Sequence, residues 1–502
     1  MVAISVLLLL ILVLSCSCIS ESIWGGYGLA MTSGACAQVS SRMPAGSVSY
    51  CGQSINIASL CRPHSVSITE FGAIGDGVTP NTHAFQNAIF YLRSFADKGG
   101  AQLYVPRGKW LTGSFNLTSH LTLYLDEGAV ILASQDPTQW PVIGPLPSYG
   151  QGRELNGARH ISLIHGENLT DVVITGKNGT IDGQGLLWWE WSRTQSLNYS
   201  RGHLVELINS KNVVVSNLTF LNSPFWTIHP VYCSNVVVRD VMVVTPANSP
   251  DTDGIVPDSC THVCIEDCYI STGANAIAIK SGWDDYESVS FWKESADIVV
   301  RRVVGEAPSS AVIAFGTEMS GGISNIQVEE LVVRNSKTGI RLTTAAGRGG
   351  YVTNVSLRGI VMHNVVTAFE FTALYSSSNA HLILLRALHD PPASYPVVEK
   401  ILITNTVGEN ISHAGDFKGL SMAPFKDICL MNISLEVISG GFDWNCSGIQ
   451  GFSTNVFPQP CSDLRSLADE SVCRTAIIQP TTDTATTTTI SSKSSSSSSS
   501  WQ

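Results

Sequence analysis

One nine-residue pattern recurs down the chain and constrains the fold more than any other feature. Residues 212–220 read Asn-Val-Val-Val-Ser-Asn-Leu-Thr-Phe; copies begin at Asn235, His262, Asp297, Asn325 and Asn354, with shorter ones at Lys400 and Asp427. Each runs polar, apolar, any, apolar, polar, polar, apolar, any, apolar. The apolar period is two, so each copy is a pair of short strands around a polar bend, and helical repeats are excluded. Two or three short strands without a helix cannot bury their own apolar face, so neighbouring units must stack. Periods of about 20 to 50 residues mark such stacked architectures. The expected fold is all-β, a single-stranded parallel β-helix whose repeat emerges near residue 168 and fades after about residue 440.

The ends read differently. Val66-Ser67-Ile68-Thr69 reads as the first strand, and residues 71–77 (Phe-Gly-Ala-Ile-Gly-Asp-Gly) as a turn. Asn81 or Thr82 then caps a helix over 82–97, with Ala84, Phe85, Ala88, Ile89, Leu92 and Phe95 on one face and Gly99 as the stop. It is the one amphipathic helix expected, and its place before the repeats makes it an N-terminal cap over the open end of the solenoid. The β-helix domain is expected over 66–475. Residues 21–65, Gly- and Ser-rich without periodicity, are expected to be poorly ordered, and the Ser/Thr-rich tail over 476–502 disordered.

The apolar run Val6 to Leu14 followed by small residues has the shape of a secretory signal over residues 1–20. A membrane span would need about 20 apolar residues, so stable insertion is not expected. Secretion to the extracellular space or cell wall is the expectation. Cysteine usage agrees: the groups Cys36 to Cys61 and Cys446 to Cys473 are expected to staple the two ends in an oxidising compartment. Cys260, Cys264 and Cys268 read as buried thiols in strand sequence, with a metal site as the less favoured alternative. Formal net charge is -11, and no basic cluster offsets it, which excludes nucleic acid as a partner. An acidic chain can still hold an anionic polymer where Lys and Arg are concentrated locally. No cofactor and no metal are expected, and the chain is expected to be a monomer.

The chemistry concentrates between Asn248 and Gly282. Asp251 and Asp253 sit two residues apart, and about one coil later comes Gly273-Ala274-Asn275-Ala276 before the apolar run 277–279. A carboxylate pair followed by a second turn at coil spacing suggests a site built across stacked strands. In extended chain, residues i and i+2 share a face about 6.6 Å apart, so Asp251 is a candidate partner for Asp253. Lys280, Arg341 and Arg348 are candidates for a local basic patch on a polyanion, although Lys280 and Arg348 read equally well as structural salt-bridge partners. His229 reads as structural.

Over roughly residues 60–460 the chain resembles plant polygalacturonases of glycoside hydrolase family 28, on a pectin-lyase-type β-helix. The resemblance rests on residues 71–77, on Ser249-Pro250-Asp251-Thr252-Asp253-Gly254-Ile255, on Gly273 to Gly282, and on Gly339-Ile340-Arg341. It implies a right-handed parallel β-helix, pectic polygalacturonate as partner, and hydrolysis of α-1,4-galacturonan with inversion. Four motifs carry catalysis in that family. Asn-Thr-Asp corresponds to Asp251-Thr252-Asp253, which keeps Asp253 at the position of the base. Gly-Asp-Asp corresponds to Gly273-Ala274-Asn275, without either carboxylate. Gly-His-Gly falls near Ser310-Ala311-Val312, with Ala311 replacing the motif's chemistry. Arg-Ile-Lys corresponds to Arg341-Leu342-Thr343, which keeps the Arg and loses the Lys. Inverting hydrolysis needs one protonated carboxyl and one carboxylate about 6.5–9.5 Å apart. An Asn amide delivers no proton, and losing a general acid costs about 10²- to 10⁴-fold. Two functions follow as expectations: a secreted pectin hydrolase with weakened or lost activity, or a non-catalytic galacturonan-binding wall protein. A calcium-dependent lyase stands well behind, because Asp251 and Asp253 alone make a thin calcium site.

Overall fold

The computed structural model describes residues 47–51, 53–56, 62–150, 152–155, 157–283, 291, 293–374, 395–464 and 473. The signal reading over 1–20, the tail over 476–502, Cys36 and Cys61 lie outside them.

The repeat is a coil, and its two polar positions are corners. The leading polar residue of every copy, from Asn212 through Asn235, His262, Asp297, Asn325, Asn354 and Lys400 to Asp427, has φ between 53° and 58°. The second corner, five residues on, is Asn217, Asp240, Asp267, Arg302, Glu330, Gly359, Asn405 or Asn432, again left-handed in every case. Asn and Asp tolerate that region through local hydrogen bonds, which explains their share of the corners. Stacked corners also bond to one another, Asn354 Nδ2 donating to Asn325 Oδ1 at 2.6 Å and Asn325 Nδ2 to Asp297 Oδ1 at 3.1 Å.

Between corners, equivalent apolar residues pair in parallel register. Val213, Val236, Val263, Ile298, Ile326, Val355, Ile401 and Ile428 form one column, and all are buried. Each such side chain contributes about 1.5–3 kcal/mol on burial, so a column of eight outweighs any single polar contact described below. The ladders lengthen toward the C-terminus, from Lys211–Leu221 to Ile323–Thr343 and Phe425–Ser447.

At the N-terminal end of the solenoid the first strand is His64–Ser67, two residues earlier than the sequence suggests. Ile68–Phe71 is a 3-10 helix because Ser67 and Glu70 form a capping box. Helix α1, Thr82–Leu92, runs into a 3-10 turn Arg93–Lys98 that Gly99 ends at φ 90°. Asn81 precedes α1, but its side chain bonds the Ile74 backbone instead of the helix N–H groups. Phe85 of α1 stacks on Phe115 at 4.6 Å and joins the continuous core, which places the helix as a cap. A second helix, α2 (Leu186–Arg193), was not expected; at eight residues it is too short for a periodic signature.

The cysteines correct the expected pairing. Cys51 joins Cys264, 213 residues away, and is flanked by a hairpin of Ser47–Tyr50 with Gln53–Asn56. Part of the segment expected to be poorly ordered is therefore anchored to the solenoid wall, and Cys264 is no thiol. With Cys264 in a disulfide, the alternative of a metal held by Cys260, Cys264 and Cys268 lacks a ligand. At the other end Cys446 pairs with Cys461 inside the expected group, whereas Cys473 reaches back to Cys429. Cys233, Cys260 and Cys268 are free and buried.

Candidate active site

Parallel pairing stacks Ile228, Ile255, Ile277, Ile313 and Ile340 in one inward column. Two residues back from these stand Trp226, Asp253, Asn275, Ala311 and Thr338; one residue on stand His229, Val256, Ala278, Ala314 and Arg341. Register thus stacks Asp253 and Asn275 in one column and puts Arg341 in the neighbouring one, from which it reaches Asn275. The turn before Asp253 is set by a buried hydroxyl cluster, Thr252 Oγ1 lying 2.6 Å from Ser249 Oγ and 3.0 Å from Thr245 Oγ1. Coils approach closely here: a Cβ on Gly273 would lie 2.3 Å from Ser249 O, which leaves no room for another residue.

Asp253 is 4% exposed. Its Oδ1 accepts from Asn275 N and Asn275 Nδ2, both at 2.9 Å, and its Oδ2 lies 3.4 Å from Lys280 Nζ. Asn275 Oδ1 in turn accepts from Ser310 Oγ at 2.9 Å and from Arg341 Nη2, which also bonds Ser310 Oγ. Arg341 reaches back this far because its register neighbours are the small Ala314 and Ala278. The amide at 275 is therefore oriented by partners on both sides, nitrogen toward the carboxylate and oxygen toward the cation. Ala274 offers no side-chain polar group. The side chain of the third motif that reaches the site is Ser310, while Ala311 is buried in an apolar cluster with Val256, Ala278 and Ala314.

Asp251 does not form the extended pair with Asp253. Its φ is 52°, so the alternation that would put both carboxylates on one face is broken. Its side chain is 59% exposed, with Arg201 Nη2 at 3.4 Å. Lys280 is present but committed: it is 3% exposed, 2.8 Å from Glu318 Oε2, and lies over the Trp226 ring at 4.6 Å. Glu318 is also held by Arg153 Nε. Burial alone would raise the Glu318 carboxyl, but Lys280 and Arg153 outweigh it and hold it well below the usual carboxylate range. Glu318 is thus an anion and cannot serve as the missing acid. Arg348 is buried, bonds the Trp283 carbonyl, and lies 3.8 Å from the Trp283 ring centroid. Thr343 is buried next to Gly316 in the ladder, in the column that holds Lys280 two coils earlier. Of the three cations selected from sequence, Arg341 alone is at the junction with Asn275.

The chain matches the family model of glycosyl hydrolases family 28 over residues 101–379. A Vitis vinifera protein named as a probable polygalacturonase is 48% identical over 417 residues, covering 82% of this chain and 83% of the other. The chain belongs to glycosyl hydrolases family 28. Among solved structures, an exopolygalacturonase from Thermotoga maritima superposes with a TM-score of 0.68 at 26% identity, over 78% of this chain and 91% of that one. The polygalacturonase from Erwinia carotovora superposes at 0.60, with 20% identity, over 78% and 97%. These likenesses bear out the right-handed parallel β-helix.

Apart from His229, sequence reasoning passed over a second polar cluster one to two coils toward the N-terminus. Glu206, fully buried, takes two bonds from Arg159 and one from His229 Nδ1 at 3.0 Å. His229 Nε2 faces Asp258 Oδ2 at 3.4 Å, and that oxygen accepts from Tyr149 at 2.6 Å. Burial works to lower the His229 pKa, but the bonds to Asp258 and Glu206 leave it raised. His229 is thus a satisfied structural imidazolium. These residues come from separate coils, so no local motif marks them; a polar residue where the inward-outward alternation expects a wall position is the signal that was available.

Proposed function

We propose that this chain is a secreted cell-wall protein that binds pectic galacturonan in its family's groove, with hydrolysis weak or absent. The observation that carries the reading is Asn275, which stands against Asp253 where the family's acid chemistry belongs and has its amide bonded on both faces. Asp253 keeps the position of a base, and Arg341 remains to face a substrate carboxylate. What the described site lacks is a carboxyl able to carry a proton to the leaving oxygen: Glu318 is a paired anion, and Asp251 turns outward toward Arg201. The competing reading, a working hydrolase, would need Asp251 to swing back and act as that acid.

Reducing-end release from polygalacturonate separates the two. The native chain is expected to release little, and an Ala274→Asp/Asn275→Asp variant at least about tenfold more, since a restored general acid is worth about 10²- to 10⁴-fold in full. Adding Thr343→Lys is expected to strengthen polymer binding. Native turnover equal to that of the repaired variants would overturn the proposal.

A further inference from the structure

We propose that Asn116 and Asn445 carry N-linked oligosaccharides, which guard the two open edges of the sheet that bears the candidate site. The proposal rests on the secreted reading, because the sugars are transferred in the secretory pathway.

Nine Asn-X-Ser/Thr triplets occur in the chain, none with Pro at X, and all nine asparagines are exposed. Exposure therefore does not separate them; backbone geometry does. Asn168, Asn178, Asn217, Asn354, Asn410 and Asn432 have φ between 52° and 56°. Asparagine suits those left-handed corners through its own local bonds, so a triplet there calls for no further explanation. Asn198 sits in a bend, where Asn is equally at home. Asn116 and Asn445 differ. Each lies in a strand, Phe115–Asn116 and Phe425–Ser447, where asparagine is depleted. Neither a corner nor a turn accounts for them.

They are also the two ends of one column. Asn116 pairs with His165, and the register then passes through Glu206, His229 and Arg341 to Asp416 and Asn445. Ten coil-to-coil steps of about 4.8 Å set the two asparagines about 48 Å apart. No other triplet falls on this column between them, so the stretch around Arg341 stays clear of the chain's own sugars.

Among the described residues, both strands pair on one side only. Phe115–Asn116 ends the order of its four-stranded sheet and pairs with Ile164–His165. Residues 442–447 pair with 413–418, whereas the last strand, Ile449–Phe457, pairs with 425–434 and leaves 442–447 uncovered on that side. An edge strand offers its free backbone groups to another chain, and native proteins blunt such edges. A bulky, hydrated oligosaccharide on the edge strand does so by excluding a second copy of this chain.

The local bonds permit the modification. Transfer joins Asn Nδ2 to the anomeric carbon of the sugar, releases one amide proton, and expels the lipid pyrophosphate of the oligosaccharide donor. An Asn amide has two N–H groups. Asn445 Nδ2 spends one on Asp416 Oδ1 at 2.9 Å, which leaves the other for the sugar. In the folded strand residues i and i+2 stand about 6.6 Å apart, and Cys446 between them is joined to Cys461. Amide and hydroxyl of the triplet are read together in a chain free to bend, so transfer precedes this closure.

The test uses the full chain secreted from a eukaryotic host. Enzymatic release of the glycans in heavy-oxygen water marks each occupied asparagine for peptide mass spectrometry. Asn116 and Asn445 are expected to be occupied in most molecules. Thr118→Ala/Ser447→Ala removes both triplets and keeps both asparagines. In sedimentation this double variant should self-associate at concentrations where the native chain is a single species, whereas Ser434→Ala, at a corner triplet, should not. Occupancy at other triplets but not at these two would overturn the proposal and leave secretion standing. Absence of glycan at all nine would overturn the secreted reading with it. A double variant as monomeric as the native chain would overturn the guarding role. If that variant fails to fold, trimming the glycans of the folded native chain to their first sugar supplies the same readout.

Discussion

Asn275 donates to Asp253 and accepts from Arg341 and Ser310, so its amide is matched to a neighbour of each sign. An aspartate in its place would set a second carboxylate against Asp253, and two such groups cannot both ionise easily. One would hold its proton to higher pH, but at a contact of 2.9 Å the two are too close to be the acid and base of inversion, about 6.5–9.5 Å apart, so the gain expected of the repaired variant rests on the carboxyl added at 274. Glu318 behaves in the opposite way. Its folded pKa lies below the ordinary 4.5, so it adds stability that is present above pH 4.5 and is lost as pH falls through the folded value. Glu318→Gln would leave Lys280 buried with only Asp253 nearby, and removing one partner of a buried pair costs about 3–5 kcal/mol. Chemical denaturation should show that loss in full near pH 7 and a shrinking gap in acid; a gap independent of pH would mean that Lys280 does not rely on Glu318. Asn275 was legible as an amide in a carboxylate motif, whereas the role of Glu318 could not be read from sequence alone. Asp253 and Arg341 stood out because their spacing fits a motif, whereas Glu318 is recruited by Lys280 and Arg153, 38 and 165 positions away in the chain.

The elements that could be read were those defined by local chemistry. Two left-handed corners separated by five residues leave a polar mark on every coil, so the strands and their register followed from the repeat. Helix α2 and the Cys51–Cys264 disulfide left no such mark, the first because eight residues hold barely two turns, the second because pairing across 213 residues depends on the finished coil. The segments 144–150 and 152–155 were also illegible, yet they pack against the site's supports: Tyr149 bonds Asp258, Ser148 bonds Tyr232, and Arg153 bonds Glu318. The capping role of α1 can be tested directly. Phe85 is fully buried against Phe115 at the end of the core. Phe85→Ala should cost about 3–5 kcal/mol in denaturant unfolding, the range for a large core aromatic. An exposed substitution on the same helix, Phe90→Ala at a residue 78% exposed, should cost far less. Similar losses from both would show that α1 does not close the solenoid.

At the scale of the whole molecule, charge works against the proposed ligand. The chain carries -11 at pH 7 and its isoelectric point is near 5.5, while polygalacturonate is a polyanion. Long-range repulsion must therefore be overcome by a few cations held close to the polymer, with Arg341 at the centre. Repulsion between exposed charges reaches about 30 Å at 0.01 M salt and about 3 Å at 1 M, whereas partly buried pairs are screened much less. Lowering the pH from 7 to 5.5 at low salt removes the net charge and should speed association about tenfold or more, the usual scale of electrostatic steering. Raising salt at pH 7 should have the same sense, because it screens the repulsion before it weakens the buried contacts. The pH effect should then vanish at about 1 M salt while binding persists. Surface-plasmon measurements on immobilised polygalacturonate across that grid of pH and salt give the answer. A basic polyanion-binding protein behaves in the opposite way, losing affinity steeply as salt rises. Such a loss here would place the contact on exposed lysines and arginines outside the groove and would remove the physical basis for binding at Arg341.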